Sequence, residues 1–286
     1  MLLPEPSGGL SVTLPGRSRE MAPFKRMLLD MFGVWRTADS GSAARWTLAS
    51  LGHLPTVVHS RKLEVADRAM AGRTCRFRFQ GVEIRLPGEY FSGAREIYCR
   101  RVYSFGQQFD IGPNDVIVDV GCNVGVFTVL AASAGKFVVA AEAQAGLIKE
   151  VESNLQMNGC ADRARIVHAL VGADTGVFSR DRASLADPWI GDPPRVSMSE
   201  LTATLPKIDL MKIDIEGSEF ALFSQETEAS WLTNVRRIAM EVHPEFGSPA
   251  SLASTLAAHG LNFQFVTNHG VPTSNLDAIG YLFAWR

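Results

Sequence analysis

The feature that most constrains the fold is an apolar run that leads into a glycine-containing turn, VIVDVGCNVGVFT at residues 116–128. The apolar run predicts a buried strand over 116–121, and the following residues predict a helix over 123–134. Gly121 and Gly125 let the backbone approach a ligand closely, and the free N–H groups that begin the helix point into the same turn. The segment therefore predicts either a nucleotide-binding strand–turn–helix unit or a tight turn that holds no ligand.

The alternation of short apolar runs with helix-like stretches continues to the end of the chain. Near-continuous apolar strands that alternate with helices are typical of a mostly parallel sheet covered on both faces. The last two strands are joined by a connection that contains Gly, Pro and Asn, which favours an antiparallel final strand. The predicted fold class is therefore α/β, with a Rossmann-like seven-stranded sheet, mostly parallel, that has an antiparallel final strand. The predicted strands are 116–121, 137–142, 164–171, 208–214, 235–243, 261–266 and 279–285, and the later helices are 146–158, one beginning near Ser218, and 248–259.

Local composition divides the chain into three parts. Residues 1–20 are rich in Gly, Pro and Ser, which predicts a flexible tail. Residues 21–104 predict a helical and hairpin cap segment, with the hairpin at 75–86, where apolar and polar residues alternate on both sides of a Gln-Gly pair. Residues 94–109 predict a helix, and the sheet-forming domain is expected over 105–286.

The overall composition narrows the classes of partner. Hydrophobic residues make up 46% of the 286 residues and charged residues 20%, with a formal net charge of -2. A chain without a basic excess is not expected to bind nucleic acid, and no apolar run is long enough for a membrane span. The four cysteines form no CxxC pair, which favours a reducing compartment. We therefore expect a cytoplasmic protein with no membrane partner. Whether it forms a homo-oligomer stays an open question at this point.

The residues around the first turn favour one class of ligand. Asp119 lies two residues before Gly121, and Asn123 stands where dinucleotide-binding fingerprints have their middle glycine. A carboxylate suits a ligand that carries a positive charge, such as the methionine part of S-adenosylmethionine (SAM), better than a pyrophosphate. An NAD(P)-dependent oxidoreductase is the disfavoured alternative.

A second acid supports an adenosine-bearing ligand. Glu142 ends the second predicted strand about 20 residues after the first glycine, where an acid can accept the ribose hydroxyls. Ala169 and Leu170 follow the third strand and are candidates to line the adenine, or are ordinary core residues. Tyr90, Glu96 and Tyr98, before the sheet, are candidates to close over the ligand.

Acidic residues cluster where the fourth strand ends. Lys212, Asp214 and Glu216 alternate along the chain, which places them on one side of an extended strand. Glu219 lies one helical turn further on, where a carboxylate stabilises the start of a helix. A structural role as helix cap and ion pair is the alternative to a role in catalysis.

The fifth strand adds candidates for acid–base chemistry. Glu241 and His243 end this strand, and a hydroxyl acceptor must lose a proton during methyl transfer, which calls for a general base. His243 has an ordinary pKa close to neutrality, and Asp214 and Glu216 are further candidates. Asp214, Glu216 and Glu241 could instead hold Mg²⁺, which prefers oxygen ligands.

Three blocks of sequence resemble the FkbM-like family of class I SAM-dependent methyltransferases. They are DVGCNVGVFT at 119–128, IDLMKIDIEGSE at 208–219 and MEVH at 240–243. Cys122 stands where the family usually has Ala, and Ala143 follows the second-strand acid where the family usually has a nearby Pro. The resemblance covers about residues 90–245, whereas residues 1–70 match nothing familiar.

The resemblance implies a class I methyltransferase fold, SAM as the methyl donor, and O-methylation of a hydroxyl on a small-molecule natural product or a sugar or glycan. An N-methyltransferase acting on a small molecule or peptide is the alternative within the same class, and a catalytically silent SAM-binding partner protein is the alternative outside it. The expected catalytic residues are His243, Asp214 and Glu216. The expected SAM-binding residues are Asp119, Gly121, Asn123, Gly125, Glu142, Ala169 and Leu170.

Overall fold

A computed structural model of the protein describes residues 23–60, 62–172, 193–224 and 229–286. The strands are β1 (Thr74–Phe79), β2 (Val82–Pro87), β3 (Val116–Val120), β4 (Phe137–Glu142), β5 (Ala164–His168), β6 (Leu170–Val171), β7 (Arg195–Val196), β8 (Leu210–Ile213), β9 (Arg237–Glu241), β10 (Asn262–Val266) and β11 (Tyr281–Trp285). The helices are α1 (Pro23–Thr37), α2 (Ser40–Gly52), α3 (Leu54–Ser60), α4 (Glu64–Arg68), α5 (Phe91–Ala94), α6 (Val126–Ala134), α7 (Ala145–Met157), α8 (Met198–Thr202), α9 (Glu219–Leu222) and α10 (Pro249–Ala258).

The main sheet has seven strands in the order β10-β11-β9-β8-β3-β4-β5. All neighbouring strands are parallel except for β11, which runs antiparallel to both β9 and β10. The chain builds outward from β3 to β5 on one side and then crosses to β8 on the other. Open α/β sheets bind ligands at this point, beyond the carboxyl ends of the two strands where the order reverses.

The α/β fold class with seven strands, a mostly parallel sheet and an antiparallel final strand is confirmed. Each predicted strand of the sheet is present, although the third is shorter than expected. It ends at His168, and Leu170–Val171 pairs separately with Arg195–Val196. The predicted hairpin is present as β1 and β2.

The predicted helix over 94–109 is wrong beyond its first turn. A π-helical turn at Arg95–Cys99 follows α5, and the helix ends there because Arg101 adopts a left-handed conformation with φ of 60°. A separate 3-10 turn forms at Gln107–Phe109, after Gly106 has also taken a positive φ. The irregular segment between the two turns forms part of the site described below.

Helix α6 lies between the sheet and the N-terminal segment. Most of its residues are apolar, and all of those from Val126 to Ala132 are buried. A helix of this kind needs cover on both faces. The N-terminal segment supplies the second cover, because Trp46, Phe77 and Tyr98 belong to the same apolar core as Leu130. Each fully buried side chain of this size contributes about 1.5–3 kcal/mol.

A buried charge network ties the N-terminal helices to the π-helical turn. Arg95 donates to both carboxylate oxygens of Asp67, at 3.0 and 2.7 Å, and to Asp30 at 3.1 Å. Trp46 donates its indole N–H to Asp67 at 2.8 Å, and Arg100 pairs with both oxygens of Asp30 at 2.7 and 2.6 Å. Buried ions that are paired and hydrogen-bonded in this way are costly to separate, so the network fixes how these helices pack. Within the described ranges, every helix is too short or too polar to cross a lipid bilayer.

Candidate functional site

The turn after β3 sits at the reversal of strand order and is held by backbone hydrogen bonds. The N–H groups of Gly121 and Cys122 both donate to the carbonyl of Ala141, each at 3.0 Å. Gly121 has φ of 78°, and a Cβ atom there would lie 1.8 Å from the carbonyl oxygen of Asp214. Only glycine therefore allows the turn to pack against the end of β8.

Glu142 closes the same turn from the end of β4. Its carboxylate is buried and accepts the N–H of Asn123 at 2.8 Å and the N–H of Gln144 at 2.9 Å. Burial raises the pKa of Glu142, whereas these backbone donors lower it. A carboxylate offers about four lone-pair positions, so this group can accept further hydrogen bonds from a ligand.

Asp119 lies beneath the turn, where it has no exposed surface. One oxygen accepts the hydroxyl of Thr128 at 2.6 Å, and the other is 3.2 Å from Nζ of Lys212. The lysine is also buried; it donates to the carbonyl of Gly121 and lies 3.5 Å from Asp214. Burial alone would lower the pKa of Lys212, but Asp119 and Asp214 hold it above its ordinary value, so this amine stays charged.

A cavity of about 260 Å³ opens above this lysine. Its floor is the turn and the ends of β8 and β9, and its other wall is the segment that precedes the sheet. The lining residues are Glu89, Tyr90, Gly93, Glu96, Ile97, Tyr103, Gly121, Cys122, Asn123, Val124, Val126, Phe127, Lys212, Asp214 and Glu241. Four carboxylates and one lysine give this cavity a negative balance, which suits a ligand that carries positive charge.

Tyr103 joins the two strand-end acids of the cavity. Its hydroxyl donates to Oδ2 of Asp214 at 2.8 Å and lies 3.5 Å from Oε2 of Glu241. The ring is fixed edge-on against Phe127 and Tyr281, both with centroids 5.9 Å away. Burial, together with the charge of Asp214, raises the pKa of Tyr103 well above its ordinary value, so the phenol acts as a donor.

Glu241 and the residues beside it hold protons unusually tightly. Burial and the nearby charge of Asp214 raise the pKa of Glu241 to about 8. His243 donates its backbone N–H to Oε1 of Glu219 at 2.7 Å, and Nδ1 of its ring lies 3.1 Å from the same oxygen. That hydrogen bond raises the pKa of His243 to about 9, so the imidazole is charged at neutral pH. The more distant Glu216 lies 3.5 Å from Nε2 of His243 and is 64% exposed.

The structure brings some of the predicted site residues together and separates others. Gly121, Asn123, Asp214 and Glu241 line the cavity, as do Tyr90 and Glu96. In the described part of the chain, the lining does not include the other candidates. Those candidates are Tyr98, Asp119, Gly125, Glu142, Ala169, Leu170, Glu216 and His243.

The candidates outside the lining have identifiable positions. Gly125 takes φ of 81° at the start of α6, where a Cβ atom would lie 2.9 Å from Val151. Ala169 and Leu170 are buried, and their N–H groups donate to the carbonyls of Glu142 and Pro194. Their assignment to the adenine stays a prediction.

The suggested Mg²⁺ site at Asp214, Glu216 and Glu241 is not formed. Among the described residues, no three His, Cys, Asp or Glu side chains converge as metal ligands. The backbone of Glu216 adopts φ of 52°, and its carboxylate meets His243 instead of the other two acids. Asp214, one of the three suggested ligands, already pairs with Lys212 and Tyr103.

Tyr103 was not among the candidates from sequence. It lies in the irregular segment before the sheet, and nothing in its neighbours marks it as functional. Lys212 was expected to share a side with Asp214, and the structure confirms that contact at 3.5 Å. Its second contact, with Asp119, requires β3 and β8 to be neighbours, as their register pairs Asp119 with Lys212.

Comparisons with known proteins give one curated relative and a group of solved structures. The relative is the 23S rRNA (uracil(1939)-C(5))-methyltransferase RlmD of Polynucleobacter necessarius subsp. necessarius (strain STIR1), 27% identical over 151 residues. That alignment covers 51% of this chain and 31% of the relative, so the chain spans less than a third of that protein.

Solved structures that align with the chain share little sequence with it. Precorrin-6Y C5,15-methyltransferase from Geobacter metallireducens GS-15 is 11% identical with a TM-score of 0.37, covering 65% of this chain and 85% of that one. An rRNA methylase from Streptococcus thermophilus is also 11% identical with a TM-score of 0.37, covering 61% of this chain and 88% of that one.

The match to a protein family is more extensive. Residues 119–265, just over half of the chain, match the methyltransferase FkbM domain. The match begins at the acid before the first turn and runs through β8, β9 and β10. It therefore includes the turn, the second-strand acid and both acids that Tyr103 joins. The chain belongs to the FkbM family of SAM-dependent methyltransferases.

Proposed function

We propose that this protein transfers a methyl group from SAM to a hydroxyl of a small molecule or sugar, with Glu241 as the proton acceptor. The observation that carries the proposal is the group formed by Glu241, Asp214 and Tyr103 inside the cavity at the reversal of strand order. It sets two strand-end carboxylates, one of them unusually basic, beside the turn that is expected to hold the methyl donor.

The residues present fit SAM. The buried carboxylate of Glu142 keeps capacity to accept the ribose hydroxyls, and the acidic cavity next to Gly121 complements a sulfonium and an ammonium group. When bound, SAM supplies an electrophilic methyl group. Asp119 contributes indirectly, because it holds Lys212, which in turn binds the carbonyl of Gly121.

Glu241 suits the removal of a proton from a hydroxyl better than the other acidic candidates. A general base works best when its pKa lies near the working pH, and burial raises the pKa of Glu241 to about 8. His243 was the expected base, but it does not line the cavity, its ring is engaged by Glu219, and its pKa of about 9 lies further from neutrality than that of Glu241. In our proposal His243 supplies a fixed positive charge at the edge of the site, and Tyr103 orients Asp214.

The charge of the cavity favours a neutral or cationic acceptor. Glu89, Glu96 and Asp214 face it against the single cation of Lys212, and Glu241 adds a negative charge once it loses its proton near pH 8. A phosphate backbone entering this cavity would meet like charge, and the net charge of the chain is -2. This argues against an RNA substrate such as the one in the name of the curated relative, and it supports a small-molecule or glycan acceptor.

Calorimetric titration with SAM and a screen of hydroxylated and amine acceptors test the proposal. Isotopically labelled SAM shows by NMR whether the new methyl carbon is on oxygen or nitrogen. We expect methyl ethers; N-methyl products would instead support the amine alternative. SAM binding without transfer to any acceptor would favour a silent binding protein.

Two variants separate the roles of donor binding and proton removal. Glu142→Ala should weaken SAM binding, because the buried carboxylate is lost. Glu241→Gln should keep SAM affinity within a few-fold while turnover falls about a hundredfold or more. The exposed neighbour Glu245 gives a matched control, since Glu245→Gln removes one charge next to the site without touching the cavity. Full turnover in Glu241→Gln would remove Glu241 from the mechanism.

A further inference from the structure

A second and larger cavity, of about 610 Å³, lies on the other side of the irregular segment before the sheet. Helix α1 forms one wall, the segment after Cys99 forms another, and the connection between β10 and β11 forms the third. The two cavities share no lining residue among those described. Tyr103 lines the first and Tyr281 lines the second, and the edge-to-face contact of these rings stands between them.

One part of the wall of this second cavity is apolar and aromatic. Phe105 stacks on Phe283 with centroids 5.1 Å apart and planes 19° from parallel, which presents a flat surface. On the opposite wall, Leu29 and Phe32 project from α1, and Phe32 is 67% exposed. Large apolar side chains that face a concave space are typical of ligand sites.

The same stripe of α1 ends in a cation. Arg36 lies one helical turn after Phe32 and lines the cavity with it. Within the described ranges, Arg36 has no acidic partner at ion-pair distance. Asp30, which also lines this cavity, already pairs with both Arg95 and Arg100. His269 faces the cavity from the β10–β11 connection, and its side chain is exposed.

We propose that the second cavity is a binding site for an amphipathic anion, a flat apolar body that carries one carboxylate or phosphate. The apolar body lies between Phe32 and the stacked pair of Phe105 and Phe283, and the anionic group meets Arg36. A guanidinium binds carboxylate and phosphate through two parallel hydrogen bonds. No acid in the described part of the chain lies at ion-pair distance from Arg36.

The two cavities differ in charge and therefore favour different ligands. Four carboxylates line the reaction cavity, whereas three arginines, Arg36, Arg100 and Arg101, and one acid, Asp30, line the second one. An amphipathic anion is therefore repelled from the first and attracted to the second. The site is independent of the acceptor hydroxyl and of the choice of base, so its test needs no knowledge of the methyl acceptor.

The test compares 2-naphthoate with 2-naphthol, which has a similar ring system without the carboxylate, as ligands of the full chain. Calorimetry or ligand-observed NMR should show naphthoate binding about tenfold more tightly, as expected for a charge-assisted pair. Saturating SAM should leave that affinity unchanged. Equal affinities, no binding of either compound, or competition between naphthoate and SAM would overturn the proposal.

Exposed positions provide variants that should fold normally. Arg36→Gln should abolish the preference for naphthoate, and Phe32→Ala should weaken both compounds together, because it removes apolar contact and leaves the charge. Arg73→Gln is the matched control, since Arg73 is an exposed arginine before β1 that does not line the cavity. A preference that survives Arg36→Gln, or that disappears in Arg73→Gln, would contradict the assignment.

Discussion

The charge on His243 depends on Glu219, and the substitution Glu219→Gln tests how strongly. The buried hydrogen bond from the imidazole to this carboxylate raises the pKa of His243 from 6.5 to about 9. The difference corresponds to roughly 3 kcal/mol, because one pKa unit is worth about 1.4 kcal/mol. A neutral amide removes the charge, so the pKa of His243 should return towards 6.5.

The same substitution should change stability in a pH-dependent way. A pKa that is raised in the folded state gives a stabilisation that is complete below pH 6.5 and is lost as the pH rises through about 9. Glu219→Gln also leaves one backbone donor unmatched, because Oε2 of Glu219 accepts the N–H of Gly217 at 2.8 Å. That loss costs about 1–3 kcal/mol at any pH. The variant should therefore lose about 4–6 kcal/mol near pH 6, and only the smaller part above pH 9.

NMR titration of the imidazole and urea unfolding at both ends of this pH range measure the two effects. Glu216→Gln is the matched control on the same ring, because Glu216 lies 3.5 Å from Nε2 but is 64% exposed. An exposed pair contributes about 0–1 kcal/mol, so this control should lower the pKa by less than one unit and leave stability nearly unchanged. Glu241 also titrates in this range, so each variant is compared with wild type at the same pH. Equal effects from the two substitutions, or a pKa that stays near 9 in Glu219→Gln, would refute the reasoning.

Three further predictions concern the cavity and the buried lysine. Gly121→Ala should abolish SAM binding and lower the melting temperature, because the new Cβ would lie 1.8 Å from the carbonyl oxygen of Asp214; calorimetry and thermal unfolding measure both, and normal binding would contradict the tight packing. Lys212→Met should destabilise the protein by about 3–5 kcal/mol in urea unfolding, because it leaves Asp119 buried without its cation, and a neutral effect would show that Asp119 finds another partner. Turnover should rise with pH as Glu241 loses its proton near pH 8, whereas a rate that is flat across that range would argue against Glu241 as the base.

The seven-stranded sheet could be predicted because its strands are buried on both faces. Strands β3 and β8 are apolar except for Asp119 and Lys212, and each is followed by a turn with glycine or acid that marks its carboxyl end. The expected helix over 94–109 failed for a reason that local pattern does not contain. Its apolar residues have helical spacing, but Arg101 turns the chain and lets Tyr103 and Phe105 point into two different cavities.

The sequence predicts those parts of the candidate site that lie within one segment. It does not predict the parts where several segments meet. Gly121 and Glu142 were predicted from the spacing of a strand–turn–helix unit, and the structure brings both to the same turn. Their contact with SAM stays a prediction. Tyr103 reaches Asp214 across 111 positions of sequence, so no local pattern could pair them. The second cavity could not be predicted for the same reason, since α1 and the β10–β11 connection come from opposite ends of the chain.

The two acids of the family motifs differ in solvent access, and this difference assigns their roles. Asp119 and Asp214 both contact Lys212, at 3.2 and 3.5 Å, but Asp119 is sealed beneath the turn whereas the side chain of Asp214 is 26% exposed at the cavity. The three N–H donors of the lysine face Asp119, Asp214 and the carbonyl of Gly121. Asp119 therefore keeps the cation in place as a positioning residue. Asp214 turns its remaining oxygen capacity towards Tyr103 and the cavity, where a ligand can reach it.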